Sequence, residues 1–245
     1  MLKGRTVLYL KTNLSEKNTV STGIEFEEFI KSLETPLNNI LLLKHNYHSC
    51  EFHVPTQFGF VKREHVDEFS KEDVYSYGDF CWVDFKDETS LDHLRPQEIA
   101  ELLYLGHLMK PLGFSFSDKL KNRFAYIAHD DGWRNEIYYS NLKEFVGVIS
   151  KLIPLKLKKV SRKRNIPDIP ISLANRLYNL SVNGLLLDFN RIARSGHIIE
   201  LPVHLVEHIN DFDQIYNDID QTIGQSQYKC WLVFNNGTWD LKENS

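Results

Sequence analysis

The sequence predicts an α+β protein with mixed sheets, hairpins and flanking helices, arranged in two lobes. Three observations carry this. Short β-prone runs alternate with amphipathic stretches through residue 153. Arg123–Tyr139 reads as two strands joined at Asp131-Gly132, since glycine accepts the positive φ of a tight turn. Such a local hairpin favours α+β over a doubly wound parallel sheet. Finally, a run rich in lysine, arginine and proline separates the two halves, giving residues 1–153, a linker at 154–170, and residues 171–245.

Thr6–Thr12 alternates and is β-prone, so it is the first expected strand. Thr22 and Glu25 fit a capping box, in which hydroxyl and carboxylate satisfy each other's orphan amides. Ile24, Phe29, Ile30 and Leu33 then follow at helical spacing, and Pro36 stops that helix. Ile40–Val54 reads as extended with a break near His45-Asn46, and Phe58–Val61 as a short strand. Glu64–Ser70 suits a turn or two of helix, and Phe80–Phe85 is a strand. Pro96 suits the first turn of a helix, where its missing N–H costs nothing; that helix ends before Pro111.

Ser140 can cap a helix whose apolar stripe, Leu142, Phe145, Val146, Ile149 and Ile153, ends at Pro154. Ile171–Arg194 fits a helix through Leu173, Leu177, Leu180 and Leu187 ending at Gly196, although Val182-Asn183-Gly184-Leu185 also reads as a tight hairpin turn. His197–Val203 is an expected strand. Leu205–Ile223 is an expected amphipathic helix stopped by Gly224, and Tyr228–Leu241 closes the chain as a hairpin around Asn236-Gly237. No long internal repeat is visible. The two Gly-tipped hairpins share only a tryptophan just beyond the tip, Trp133 and Trp239.

Hydrophobic residues make up 42% and charged residues 25% of the chain, which fits a folded protein and excludes wholesale disorder. Charge is uneven. Residues 1–153 carry 18 Lys+Arg against 23 Asp+Glu, residues 154–164 carry six basic residues and no acid, and residues 165–245 carry 5 against 10. An acidic body does not suit a nucleic-acid platform, where phosphate neutralisation drives binding. Cys50, Cys81 and Cys230 are far apart and odd in number, against a disulfide framework. The first residues place charges inside their apolar stretch, unlike a signal peptide, and no apolar run approaches the ~18 residues of a membrane span. A soluble cytoplasmic protein, bound to no membrane, is the expectation.

Four groupings can carry chemistry. The His129, Asp130, Asp131, Trp133, Arg134 tip, with Tyr138 and Tyr139 behind it, combines imidazole, carboxylates, aromatic surface and guanidinium. It can recognise a partner, or position a metal or a general base; the simpler reading makes Asp130 and Asp131 turn formers. His45, His48, Cys50 and His53 are ligand types, but strand alternation splits them between faces and no zinc spacing results. A calcium loop begun at Asp211 fails, because Tyr216 and Thr222 stand where Gly and Glu are needed. Lys156, Lys158, Lys159, Arg162, Lys163 and Arg164 can meet a phosphate backbone, but lack interleaved aromatics for base stacking.

No GxSxG, HExxH, Walker A or GxGxxG pattern occurs. The sequence is therefore read as a non-enzymatic interaction module of inhibitor, immunity or regulatory type. It would meet another protein through an acidic, aromatic-bearing face, without cofactor or structural metal. The alternatives are a metal-assisted hydrolase or nuclease-like enzyme at His129, Asp130 and Asp131, and a nucleic-acid-associated protein using 156–164.

Overall fold

A computed structural model describes residues 7–44, 47–72, 78–111, 116–129, 132, 134–161, 165–207, 209, 215, 218–224, 226 and 228–243. The fold is α+β, with antiparallel strands and flanking helices. Contacts group the chain into two compact units. One holds Glu25–Ile30 and Thr35–Leu142; the other holds Met1–Ile24, Lys31–Glu34 and Lys143–Ser245.

In the first unit the described elements are α1 (Phe26–Ser32), β3 (Asn39–Lys44), β4 (Glu51–His53), β5 (Phe58–Val61), α2 (Val66–Ser70), β6 (Phe80–Phe85), α3 (Thr89–Asp92), α4 (Pro96–Leu108), β7 (Phe124–His129) and β8 (Arg134–Tyr139). The strands lie in the order β8-β7-β6-β3-β5-β4, every neighbour antiparallel. Strand alternation gives the sheet two packed faces. On one, Phe26 and Phe29 of α1 meet Trp82, Phe124 and Tyr126, and the Trp82 and Tyr126 rings stack at 5.4 Å. On the other, Leu105 and Met109 cover Leu41, Val83, Ala125 and Ile127. Gly106 lets α4 approach β3, because a Cβ there would stand 2.5 Å from the Leu43 carbonyl oxygen.

The second unit contains β1 (Val7–Asn13), β2 (Asn18–Thr22), α5 (Leu142–Ser161), α6 (Ile171–Ser181), β9 (Leu185–Asp188), β10 (Ala193–Ser195), β11 (Ile198–Leu205), α7 (Ile219–Gly224), β12 (Tyr228–Asn235) and β13 (Thr238–Glu243). Its order is β13-β12-β11-β9-β1-β2, with β10 on β11. One face packs Val7, Tyr9 and Leu186 under Ile219 and Ile223. On the other, the buried Thr12 hydroxyl joins those of Thr19 and Ser181 at 2.9 and 2.6 Å, tying β1 to β2 and α6.

The two units repeat one topology. The series α1, β3, β6, α4, β7, β8 pairs its strands in the order β3-β6-β7-β8. The series α6, β9, β11, α7, β12, β13 pairs its strands as β9-β11-β12-β13. In each, the first helix covers one sheet face and the second covers the other. The hairpins β7–β8 and β12–β13 are therefore equivalent, and the residues they share are the glycine of each tip and the tryptophan just beyond it, Trp133 and Trp239.

Several local expectations change. Thr22 belongs to β2, and α1 begins later, with the Glu28 carboxylate accepting the Glu25 amide at 3.2 Å. Four of the five β2 residues are polar, so hydrophobic alternation could not mark this strand. Helix α5 runs through Pro154 to Ser161, and among the described residues of the expected linker only 165–170 lie outside helix and strand. Of the two readings of 171–194, the helix holds over Ile171–Ser181, and the turn at Gly184, φ +75°, joins that helix to β9 in place of a hairpin. Leu205 ends β11, and among the described residues the expected long helix is seen at Ile215 and at Ile219–Gly224.

Candidate functional site

The β7–β8 hairpin forms as expected. His129 pairs with Arg134, and the Gly132 amide donates to the His129 carbonyl at 3.0 Å, with φ +80° at the glycine. Asp130, Asp131 and Trp133 lie outside the described residues. Behind the tip, Asn135 is fully buried and accepts from the Tyr126 hydroxyl at 2.8 Å. Tyr138 sits in the core of its unit and donates to Glu136 at 2.6 Å, while Tyr139 is buried opposite Phe124. Neither tyrosine offers a surface to a partner. Aromatic strand residues fit core and interface equally well, so sequence could not separate the two.

The basic run is not one exposed stripe. Lys156 is only 3% exposed, on the packed side of α5; Lys158 is half-buried and Lys159 exposed. Arg162, Lys163 and Arg164 lie outside the described residues. The histidine cluster is dispersed into local pairs. His48 stands 3.4 Å from Glu72, while His53 bonds Thr56 at 2.8 Å and Asp92 at 3.0 Å. Cys50 is a free thiol, and His45 lies outside the described residues. Asp218 accepts the Gln221 amide at the start of α7, and Asp220 pairs with Arg191; Asp211 and Asp213 are outside the described residues. Among the described residues, no group of three or more His, Cys, Asp or Glu is placed to hold a metal ion. None of their helices is long and apolar enough to cross a membrane.

The buried ionisable groups serve the frame. Asp84, on β6, accepts the amides of Arg123 and Phe124 at 2.8 and 2.7 Å. The Arg123 guanidinium also reaches Asp84, and its far end donates to the Thr35 and Pro36 carbonyls at 3.1 and 3.0 Å. Burial outweighs these bonds and pushes the Asp84 carboxyl up to about 6. Asp188 is likewise raised by burial, against the Asn190 amide and the Arg191 charge. Burial, helped by Lys229 and Arg191, pushes His204 down to about 4, so its imidazole is neutral at pH 7. Burial pushes Tyr9 up to about 12, and its hydroxyl donates to the Glu207 carbonyl at 2.8 Å. Among the described residues, Asp84, Asp188 and His204 share no hydrogen bond with a Ser, Thr or Cys side chain. The pairing of nucleophile with base that covalent catalysis needs is not built from them.

Charge and exposed apolar surface point elsewhere. The unit of residues 25–30 and 35–142 carries 20 Asp+Glu against 11 Lys+Arg, a formal charge of −9; the other carries 13 against 18, or +5. Within the acidic unit, the β4–β5 hairpin exposes Phe52 to 60% and Val54 to 74%. Across the sheet, Ile137, Tyr126, Trp82, Leu42, Gly59 and Phe52 form one cross-strand row. The row is buried from Ile137 to Leu42, thins at Gly59, and ends in the exposed Phe52 ring. Acids surround the hairpin. Lys62 lies 3.3 Å from both Glu51 and Glu88, so two carboxylates share one lysine, and a third, Asp92, is held by His53. The sequence signal was present in the alternation Glu51-Phe52-His53-Val54 before Pro55. Alternation marks a strand, however, and not whether that strand lies at an edge.

No family model, curated protein or solved structure matches this chain.

Proposed function

We propose that this chain is a non-enzymatic interaction module that captures a basic protein partner through its acidic unit. One observation carries the reading: the −9 unit exposes Phe52 and Val54 among Glu51, Glu88 and Asp92. Acidic surface accelerates encounter with a basic partner, and an aromatic anchor supplies the short-range energy that holds it. The exposed Phe52 ring leaves apolar area in water that a partner can bury favourably. An inhibitor, immunity or regulatory role is the biological form this takes. The surface supporting it is the β4–β5 hairpin; the His129–Arg134 tip, the site expected from sequence, contributes His129 and Arg134 to the same acidic unit.

The test is capture of native partners by the full chain and by a Glu51→Lys, Glu88→Lys, Asp92→Lys variant. The reading expects a basic partner that the parent retains and the charge-reversed variant loses. It also expects release at about 1 M salt, where the screening length falls to about 3 Å. Retention of the same partner by the variant at that salt would contradict it.

A further inference from the structure

The geometry points to β-strand addition at β4 as the binding mode, with an extended segment of alternating basic and apolar residues as the partner element. This deepens the reading above and rests on it. Strand β4 ends the strand order of its unit, and among the described residues nothing pairs with its outer edge. An edge strand presents backbone donors and acceptors that template a further strand, and proteins blunt such edges with charge, proline or brevity. Here the strand is short and Pro55 lies just beyond it, yet Phe52 within it and Val54 immediately after it are exposed. The apolar row that starts in the core at Ile137 is thus carried to the sheet's edge and left open there.

An added strand would continue that row. Its residue opposite Phe52 would fall on the same face and cover the ring, which Gly59 leaves bare on the inner side. Strand alternation sends the two neighbours of that residue to the other face, opposite Glu51 and His53. Glu51 is exposed there, with Glu88 within reach of the same lysine, and Asp92 borders His53. Lys or Arg at those two positions meets carboxylates whichever way the strand runs. The partner is therefore recognised as basic, apolar, basic in extended form: main-chain bonds supply affinity and the alternating side chains supply selectivity.

The test uses the full-length protein and a labelled peptide of alternating Lys and Val, read by fluorescence anisotropy. Two controls accompany it: the same peptide N-methylated at alternate residues, which removes one edge of hydrogen bonds, and its Glu-Val counterpart. Binding of the Lys-Val peptide alone is expected. Phe52→Ser should weaken it about tenfold or more, the effect of losing an aromatic anchor. If the N-methylated peptide binds as well, or Phe52→Ser is neutral, strand addition fails while acidic capture of basic chains survives. If no basic peptide binds, both readings fall. Concentration-dependent dimerisation of the protein that Phe52→Ser abolishes would assign the edge to a second copy and overturn the proposal.

Discussion

Ile169 donates its backbone amide to the carbonyl of Ser150 at 2.9 Å, the very carbonyl that Pro154 leaves without a donor inside α5. A proline four residues along a helix cannot supply that bond, so a helix tends to kink or end there. In this chain the non-helical 165–170 segment brings Ile169 back to the helix and fills the vacancy. The Ser150 hydroxyl answers by donating to the Ile169 carbonyl.

Ser150→Ala leaves the amide bond in place but strips the donor from the buried Ile169 carbonyl. Ser150 is 4% exposed, so water does not replace it easily. A loss of about 1–3 kcal/mol in urea-unfolding stability is expected, the cost of a buried acceptor left unmade. An unchanged midpoint would mean that the pairing is incidental to the helix.

Two glycines in helices should respond oppositely to alanine. At Gly147, in α5, nothing lies within 4 Å of a new Cβ, so Gly147→Ala should stabilise by about 0.5–1 kcal/mol through helix propensity. At Gly106, in α4, the Cβ would meet the Leu43 backbone at 2.5 Å, so Gly106→Ala must push α4 off β3. A destabilisation of about 1–3 kcal/mol is expected, as for other overpacked sites. Thermal melts of the two variants settle it, and shifts of the same sign would refute the helix–sheet contact.

Asp84 and His204 should tilt the pH dependence of stability in opposite directions. Asp84 titrates near 6 when folded, against an ordinary 3.8, so the native state binds its proton more tightly. Its contribution is free of penalty below about 4, and costs the fold about 3 kcal/mol as pH rises through 6. His204 titrates near 4 against an ordinary 6.5, so the unfolded chain takes that proton first. Its penalty is absent above about 6.5 and grows to about 3 kcal/mol as pH falls to 4. Stability curves between pH 4 and 6.5 should therefore diverge for the single variants. Relative to the parent, Asp84→Asn should gain most at the high end and His204→Gln most at the low end. Parallel curves would show that neither group is held as described.

Much of the frame was legible because its signals are local. Phe80–Phe85 announces a strand by its β-prone residues, Pro96 marks the first turn of α4, and Asn236-Gly237 marks the last hairpin. What escaped depended on partners distant in sequence. Pro154 stops a helix unless something like Ile169 supplies the missing bond. Thr22 can cap a helix, but Tyr9 stands opposite it and draws it into a strand. The polar Asn18–Thr22 run becomes a buried strand in which the Thr19 hydroxyl meets that of Thr12, itself bonded to Ser181. Tyr139 looked like recognition surface and is core, whereas Phe52, within the run read only as extended, is exposed. The difference between those two is sheet order, which alternation along one strand does not encode.

The most direct measurement is backbone hydrogen exchange across the full chain, with and without the alternating Lys-Val peptide. The account predicts slowed exchange concentrated in Glu51–His53 and in the adjoining β4–β5 turn, lost in Phe52→Ser. Protection confined to α5 or to the β7–β8 hairpin, with β4 exchanging as before, would contradict it.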